Sequence, residues 1–318
     1  EVVGLSIDDN GKLNCSENSS DNKCDEKHSI STKGYQPFSL SYSTFTPKRD
    51  WISEKDTSTI PLLAIGGLNS VSKNNRYYGQ VTFVDIQGFS DQKENIFWNQ
   101  PIPMGVDPSG IKKVLFENNN LSFLSFTSES LKPALFHLSQ KDISISYDNI
   151  IDPLQFSPQV FSLFQYTRLG RANDIYYDYH SGYFYVLGDT PSGLHVFGFD
   201  GSMKEISYLS FLPVFGSLDS LKYFEFGSKK YLFLLSYQES EIHIVDISQG
   251  MPVFVRTIDG KTKDDNGKLK QWLNGPYSLT RSKKKNLIFV ANFNNHQIAV
   301  MDISSDDPKN FSFVSLIQ

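Results

Sequence analysis

Residues 285–304 read KNLIFVANFNNHQIAVMDIS, and this stretch decides the fold class. An apolar run at 287–290 meets a polar turn at 292–296, and a second apolar run at 298–301 ends on Asp302. Two runs of β-branched and aromatic residues around a short polar connection predict an antiparallel pair of strands. The apolar spacing does not hold a helical period for long enough to predict a helix. Nothing in the stretch is chemically reactive, so it predicts architecture rather than activity.

The same pattern occurs four more times along the chain. The copies end in GQVTFVDIQ (79–87), LKPALFHLS (131–139), GLHVFGFD (193–200), EIHIVDIS (241–248) and HQIAVMDIS (296–304). When they are aligned, Asp85, Ser139, Asp200, Asp246 and Asp302 fall 54, 61, 46 and 56 residues apart. Each copy is preceded by another extended run and followed by a further one, such as ENIFW, ISISY or VFVRTI. In four of the five units a strand-like stretch that ends in a turn comes still earlier, for example NDIYYDYHSG or LKYFEFGSKK. Each unit is therefore expected to be four antiparallel strands.

Tandem four-stranded units of about fifty residues predict an all-β fold, the β-propeller, whose units are called blades. Five blades are visible between residues 35 and 318, and a sixth or seventh could lie within 35–61 or 152–174. Residues 35–318 are thus expected to form the propeller domain. Residues 1–34 are expected to form a flexible N-terminal segment, in which EVVGLSI (1–7) could supply a strand that closes the ring.

The composition restricts the partners that the chain can attract. The net charge of −5 supplies no broad attraction for nucleic acid, and no run of eighteen apolar residues predicts a membrane span. The chain opens on Glu1 rather than Met, which leads us to expect a processed form with a possible lipid anchor upstream. We expect a monomer that has a protein or carbohydrate partner.

The two cysteines lie in one polar segment near the N-terminus. Cys15 and Cys24 fall within NCSENSSDNKCDEK, and a disulfide between them would close a short loop. Two free thiols are the alternative. A disulfide would indicate an oxidising compartment, namely the periplasm, the cell surface or the exterior.

A family resemblance rests on the last two repeats. FVANFNNHQIAVMDIS resembles the repeat of bacterial cell-envelope propellers known by the consensus YVTN, with Phe289, Val290, Ala291 and Asn292 at the naming positions. EIHIVDISQGMPVFVRTI is similar to the related LVIVD repeat. The resemblance implies an exported, often lipid-anchored propeller, in a family whose members are mostly of unknown or binding function. It also implies seven blades, whereas five are visible here.

Two long loops hold the candidate ligand-binding residues. Loops that join blades share a face with the loops between the second and third strands of each blade, and ligands are commonly bound at loops that a rigid scaffold positions. The segment 152–173 is rich in aromatics and ends in arginines, and the segment 261–277 carries KTKDDNGKLKQWLNGPY. Side chains of this kind suit recognition of a protein or a sugar. The candidates are Phe161, Tyr166, Arg168, Arg171, Trp272 and Tyr277. A short helix or cap over the ring is the alternative for the first segment, and a plug between blades is the alternative for Trp272.

Catalytic and metal sites have weaker support. Asp174 and Asp178 lie on a predicted inner strand, so a hydrolase with a carboxylate pair at the propeller axis is the alternative function. Solvated channel lining is the competing explanation for both residues. The sequence DDNGKL occurs at 8–13 and at 264–269, and its Asn-Gly step predicts a hairpin turn rather than a calcium loop. The histidines share no offset in the repeat, so we expect no metal and no cofactor. The sequence therefore favours a binding protein over an enzyme.

Overall fold

The computed structural model gives side chains for the following residues: 169–170, 172–178, 180–198, 206–263, 266–282, 285–305 and 307–318. Elsewhere it describes only the backbone of the strands given below. The chain separates into two compact units, Glu1–Ser162 and Leu163–Gln318. The predicted boundary between residues 34 and 35 stays a prediction.

In the first unit the structure describes twelve strands. They are β1 (Val2–Val3), β2 (Ser6–Ile7), β3 (Leu13–Asn14), β4 (Ser29–Ile30), β5 (Tyr35–Phe45), β6 (Ile60–Lys73), β7 (Arg76–Asp85), β8 (Ile96–Pro103), β9 (Ile111–Glu117), β10 (Asn120–Ser125), β11 (Ala134–Leu138) and β12 (Gln159–Ser162).

The described residues of the second unit include strands and a short 3-10 helix at Pro308–Asn310. Its strands are β13 (Ala172–Asp178), β14 (Tyr183–Asp189), β15 (Ser192–Phe199), β16 (Ile206–Pro213), β17 (Leu218–Phe226), β18 (Lys229–Ser236), β19 (Glu241–Asp246), β20 (Val253–Ile258), β21 (Lys261–Lys263), β22 (Leu269–Gln271), β23 (Pro276–Arg281), β24 (Leu287–Asn292), β25 (Gln297–Asp302) and β26 (Ser312–Ile317). In the described part of the chain no helix is both long and apolar enough to cross a membrane.

Five four-stranded antiparallel sheets match the five predicted repeats. In chain order they are β5–β8, β9–β12, β13–β16, β17–β20 and β23–β26, and we call them the first to fifth blades. Within each blade, strands adjacent in sequence pair as antiparallel neighbours, which is the strand order of a propeller blade. The stretch at 285–304 forms β24 and β25 of the fifth blade, as its pattern predicts.

One detail of the first unit differs from the prediction, and a second stays a prediction. The outer strand of the second blade is β12 and not the predicted ISISY segment, so Phe161 lies on a strand rather than on a long loop. Residues 2–3 pair with 29–30, and residues 6–7 pair with 13–14. These local pairs give no support to the predicted ring-closing role of residues 1–7.

The repeated DDNGKL sequence forms a hairpin in both places, as predicted. In the N-terminal copy Ile7 pairs with Leu13, and in the second copy Lys263 pairs with Leu269. Gly267 of the second copy adopts a left-handed φ of 77°, which glycine accepts without the steric cost that a Cβ brings.

The core of the second unit lies between its blades. The side chains of β18 alternate in direction: Leu232 and Leu234 pack with residues of the third blade, whereas Phe233 and Leu235 pack with residues of the fifth. All four are fully buried. A strand covered on both faces requires apolar residues at successive positions, which explains its unbroken hydrophobic run.

The recurrent Asp-Ile-Ser sequence has a structural role. Asp246 accepts a hydrogen bond from the Ser248 backbone N–H at 2.8 Å, and Asp302 accepts one from the Ser304 backbone N–H at 2.8 Å. The intervening Ile247 and Ile303 are buried in the core. The motif therefore ends the third strand of a blade with a side-chain cap while it buries the next residue.

Strand pairing corrects the predicted alignment of the third blade. Tyr231 pairs with Asp246 and Leu287 pairs with Asp302, but Tyr183 pairs with Gly198. Gly198 rather than Asp200 therefore occupies the repeated aspartate position.

Candidate functional site

A β-bulge begins each inner strand of the second unit. In each of these strands the first and third residues pair with the second strand of the blade, and the residue between them has no partner there. The unpaired residues are Asn173 in β13, Asp219 in β17 and Tyr277 in β23. A bulge re-aims a side chain and is frequent next to functional sites. The three bulges lie beside the loops that connect blades and the loops that join second to third strands. We call this side of the second unit the long-loop face.

An aromatic cluster of two exposed rings and one half-buried ring occupies the long-loop face at the fourth and fifth blades. It consists of Tyr237, Tyr277 and Phe293, and the Phe293 ring centroid lies 6.0 Å from each of the other two. Tyr277 is 61% exposed and Phe293 is 60% exposed. Exposed rings in mutual contact form a preassembled apolar surface, because little side-chain entropy remains to be lost on binding.

The backbone beneath this aromatic cluster is fixed by hydrogen bonds. Asp219 accepts from the Tyr237 N–H at 2.9 Å, and the Phe293 N–H donates to the Gly275 carbonyl at 2.9 Å. The buried Asn292 amide donates to the Trp272 carbonyl at 2.8 Å and accepts from the Asn274 N–H at 3.1 Å. The asparagine that ends the YVTN-like run is thus a loop anchor.

Amide and hydroxyl groups line the edge of the aromatic cluster. The Tyr237 hydroxyl donates to Asn294 Oδ1, and Asn294 Nδ2 donates to Asn274 Oδ1 at 3.2 Å. The Gly275 N–H donates to the Ser240 hydroxyl oxygen at 3.0 Å. These bonds hold loop 237–240 to loop 293–296 and to the segment that precedes β23, so the rings and amides are presented as one surface.

Glu239 stabilises loop 237–240 through hydrogen bonds. Its carboxylate accepts hydrogen bonds from the Ser236 hydroxyl and from the Ser217 N–H, the latter at 3.0 Å. The hydrogen bond from Ser236 is the main cause that lowers the Glu239 pKa, with a further contribution from the Ser217 N–H. The carboxylate therefore links loop 237–240 to the connection between the third and fourth blades.

The structure places Trp272 and Tyr277 differently, although both belong to the predicted loop. Tyr277 is exposed within the aromatic cluster, as a ligand-binding residue requires. Trp272 is only 6% exposed: its ring stacks on Phe313 at 5.5 Å, and its indole N–H donates to the Thr262 hydroxyl at 2.7 Å. Trp272 therefore packs inside the fifth blade, and its burial does not fit the predicted contact with a ligand.

Asp174 and Asp178 act as contacts between blades. Asp174 accepts a hydrogen bond from the Leu221 N–H of the next inner strand at 2.9 Å. Asp178 is 3% exposed and forms an ion pair with Lys230 of the next blade at 3.0 Å. Four residues along one strand separate the two carboxylates by about 13 Å. Because both carboxylates already have partners and lie far apart, the arrangement gives little support to the predicted catalytic pair of Asp174 and Asp178.

The other predicted site residues lie outside the described side chains. For Phe161 only the strand backbone is described. Tyr166, Arg168, Arg171, Cys15 and Cys24 lie outside the described residues, so their predicted binding roles and the predicted disulfide stay predictions.

Two histidines of the second unit are buried in the blades. His195 and His243 occupy equivalent positions on β15 and β19, because Val186 and Leu234 pair with them in matching registers. Burial lowers the pKa of both imidazoles. Among the described residues, no group of three or more His, Cys, Asp or Glu is arranged to hold a metal ion.

Sequence reasoning missed Tyr237, Phe293 and Asn294. The available signal was positional: Tyr237 and Phe293 each follow directly after a buried second strand and begin a four-residue connection. An aromatic residue at the same tight loop in two repeats has no strand in which to be buried, and this predicts an exposed position.

Comparisons with known proteins agree on the fold. No protein-family model and no curated protein sequence matches the chain. Among solved structures, it is similar to a putative 6-phosphogluconolactonase from Bacteroides uniformis, with 11% identity, a TM-score of 0.54, and coverage of 87% of this chain and 81% of that one. It is also similar to the periplasmic gluconolactonase of Pseudomonas aeruginosa, with 10% identity, a TM-score of 0.52, and coverage of 87% and 82%. A protein from Lactobacillus plantarum matches at 12% identity and a TM-score of 0.54, with coverage of 89% and 83%.

The predicted fold class is confirmed. The chain is an all-β protein, a β-propeller of four-stranded antiparallel blades. At identities this low the similarity extends to the fold and no further.

Proposed function

We propose that this protein is a propeller binding module that recognises a protein or carbohydrate ligand through its long-loop face. The observation that carries the proposal is the aromatic cluster. Tyr277 and Phe293 are each about 60% exposed, yet hydrogen bonds and ring contacts fix the loops that carry them. Exposed apolar surface opposes solubility, and a patch of rigid aromatics with a polar rim is typical of a recognition surface.

The proposed location is outside the cytoplasm, in the periplasm, at the cell surface or secreted. Three features support it: the likeness of the last two repeats to YVTN and LVIVD cell-envelope propellers, the pair Cys15 and Cys24, and a structural neighbour that is periplasmic. The same resemblance supports a lipid anchor upstream of Glu1. Reductant-dependent mass measurement tests the disulfide, and two free thiols would remove the support that the cysteines give to this location.

Binding assays with two ligand classes, glycans and peptides, test the proposed function. The purified chain is applied to a printed glycan array and to a displayed peptide library, with wild type, Tyr277→Ala and Phe293→Ala compared. We expect binding in at least one class that both variants weaken by about tenfold or more, a change that corresponds to about 1.4 kcal/mol. Absence of binding in both classes, or equal binding by wild type and variants, would overturn the proposal.

Phe254 supplies the matched control for these variants. Its side chain is 46% exposed on β20, where it pairs with Val245 near the end of β19 that lies away from the long-loop face. Phe254→Ala therefore removes an exposed ring from outside the proposed binding face and should leave binding within about twofold of wild type.

The alternative function is a hydrolase with a carboxylate site at the propeller axis. The names of two structural neighbours, a putative 6-phosphogluconolactonase and a gluconolactonase, support it. The hydrogen bond and the ion pair that occupy Asp174 and Asp178 give it less support than the binding function has. The test is hydrolysis of glucono-lactone and 6-phosphogluconolactone. Turnover that Asp174→Asn or Asp178→Asn abolishes in a folded protein would favour the hydrolase.

A further inference from the structure

Two asparagine–glycine steps of the second unit lie in opposite environments. One is Asn266–Gly267, in the turn between β21 and β22, and the other is Asn274–Gly275, in the segment that precedes β23. Asparagine is a thermolabile residue, and the backbone nitrogen of a following glycine can attack its side-chain amide without hindrance from a Cβ. The two steps therefore share a reactive chemistry, and the fold decides which of them can use it.

The Asn266–Gly267 step is open to solvent. Both residues are exposed at the end of the hairpin that β21 and β22 form. Beyond its chain neighbours, no described residue places a heavy atom within 4 Å of the Cβ position of Gly267. The backbone of this turn therefore has room to bring the Gly267 nitrogen toward Asn266 Cγ, as exposed loop tips generally do.

Hydrogen bonds and close packing hold the Asn274–Gly275 step. Asn274 Oδ1 accepts from Asn294 Nδ2 at 3.2 Å, and the N–H of the buried Gly275 donates to the Ser240 hydroxyl oxygen at 3.0 Å. A Cβ at Gly275 would lie only 2.7 Å from Asn294 Nδ2, so the backbone has little space to move. Attack on Asn274 Cγ requires both hydrogen bonds to break, which the fold opposes.

We propose that Asn266 is a site of spontaneous deamidation in the folded protein, whereas the fold protects Asn274. After loss of its proton, the Gly267 backbone nitrogen forms a bond to Asn266 Cγ, and the bond from Cγ to the amide nitrogen breaks with release of ammonia. Water then adds to one carbonyl of the cyclic imide and opens the ring to aspartate or isoaspartate. The net reaction consumes water, releases ammonia and changes no oxidation state.

The products alter the hairpin in charge and in backbone length. Either product carries a carboxylate at neutral pH where the protein had a neutral amide. Isoaspartate also adds a methylene to the main chain beside the position where Lys263 pairs with Leu269. The reaction therefore converts an exposed turn into a modified one with time, and it does not depend on the proposed binding function.

Incubation of the purified chain in mildly alkaline, isotopically labelled water tests this proposal. The folded chain is compared with the chain in guanidinium chloride, and peptide mapping by mass spectrometry gives the deamidation rate at each asparagine. Oxygen from the labelled water enters the product, which separates deamidation during the incubation from aspartate formed earlier. Circular dichroism verifies that the first sample stays folded.

The rate in denaturant is the reference for each step, because it includes the effect of the neighbouring residues. In the folded chain, Asn266 should react within about threefold of that reference, whereas Asn274 should react about tenfold or more below its own. Protection of Asn266 by about tenfold, or a folded-state rate at Asn274 equal to its reference, would overturn the proposal.

Gly267→Ala tests the cyclisation step itself. The added Cβ crowds the attacking nitrogen, so the variant should deamidate about tenfold more slowly at Asn266, in the folded chain and in denaturant alike. The measurement in denaturant does not require the variant to fold. An unchanged rate at Asn266 under both conditions would overturn the attack by the residue 267 nitrogen.

Discussion

Two adjacent lysines of β18 make different ion pairs, and replacing each in turn tests the structural role of Asp178. Lys230 Nζ lies 3.0 Å from Asp178 Oδ2, with side-chain exposures of 24% and 5%. Lys229 Nζ lies 3.5 Å from Asp246 Oδ2, with exposures of 53% and 23%. Lys230→Met and Lys229→Met remove one charge each and retain most of the aliphatic stem.

The expected magnitudes follow from burial. Removing one partner of a buried ion pair leaves an uncompensated buried charge and lowers the free energy of unfolding by about 3–5 kcal/mol. Since a quarter of the Lys230 side chain is exposed, and the His180 N–H still donates to the Asp178 carboxylate at 3.1 Å, we expect Lys230→Met to cost about 2–3 kcal/mol. The more exposed pair of Lys229 should be worth about 0–1 kcal/mol.

Urea denaturation followed by circular dichroism gives the free energy of unfolding for both variants. Adding Asp178→Asn to Lys230→Met removes the stranded charge and should recover at least about half of the lost stability. If the two lysine variants differ by less than about 0.5 kcal/mol, Asp178 does not act as a buried structural partner, and its assignment as a contact between blades is wrong.

Three further predictions concern burial, backbone and pH. Trp272→Phe keeps a stacking ring but loses the indole donor, so the unfolding free energy should fall by about 1–2 kcal/mol with ligand affinity unchanged; weakened binding would contradict its burial. Gly260→Ala places a Cβ 2.6 Å from a leucine Cγ at a φ of 65° and should cost about 3 kcal/mol, whereas Gly267→Ala, with a φ of 77° and no atom within 4 Å, should cost about 1 kcal/mol in the same denaturation assay. Burial lowers the pKa of His195 and His243. Below about pH 6.5 the unfolded chain therefore binds more protons than the folded chain. As the pH falls toward the folded-state pKa, each histidine should lower the free energy of unfolding by up to about 1.4 kcal/mol per pH unit. A urea midpoint that stays constant from pH 7 to pH 5 would contradict this sign.

Strand positions were predictable because burial on both faces requires apolar runs of a definite length. The runs at 231–235 and 287–290 lie in β18 and β24 as predicted. The predicted alignment of the third blade was wrong by two residues, because Gly198 and not Asp200 occupies the repeated position. Side chains in a strand repeat their direction every two residues. Such a shift keeps every residue on the same side of the sheet, so the apolar pattern cannot reveal it.

The outer strand of the second blade escaped prediction for a related reason. Outer strands have one free edge and are less completely covered, so selection for apolar residues is weaker; the pattern of β26 is mostly exposed. ISISY therefore fits an outer strand on sequence grounds as well as β12 does.

The candidate site was only partly predictable, because exposure depends on distant packing. Tyr277 and Trp272 belong to one predicted loop, 261–277, and suit binding equally by residue type. Phe313, more than thirty residues further along the chain, buries Trp272, whereas a bulge directs Tyr277 outward. No local sequence signal distinguishes these two outcomes.

Hydrogen–deuterium exchange with a bound ligand tests the central claim, that recognition takes place on the long-loop face. The ligand is the glycan or peptide that the wild-type chain binds most strongly, and exchange is compared with and without it. Binding at the aromatic cluster predicts slower exchange in segments 237–240, 272–277 and 293–296, with no change in the turns at 180–182 and 227–228. Protection at those two turns instead, with the three loop segments unchanged, would contradict the account.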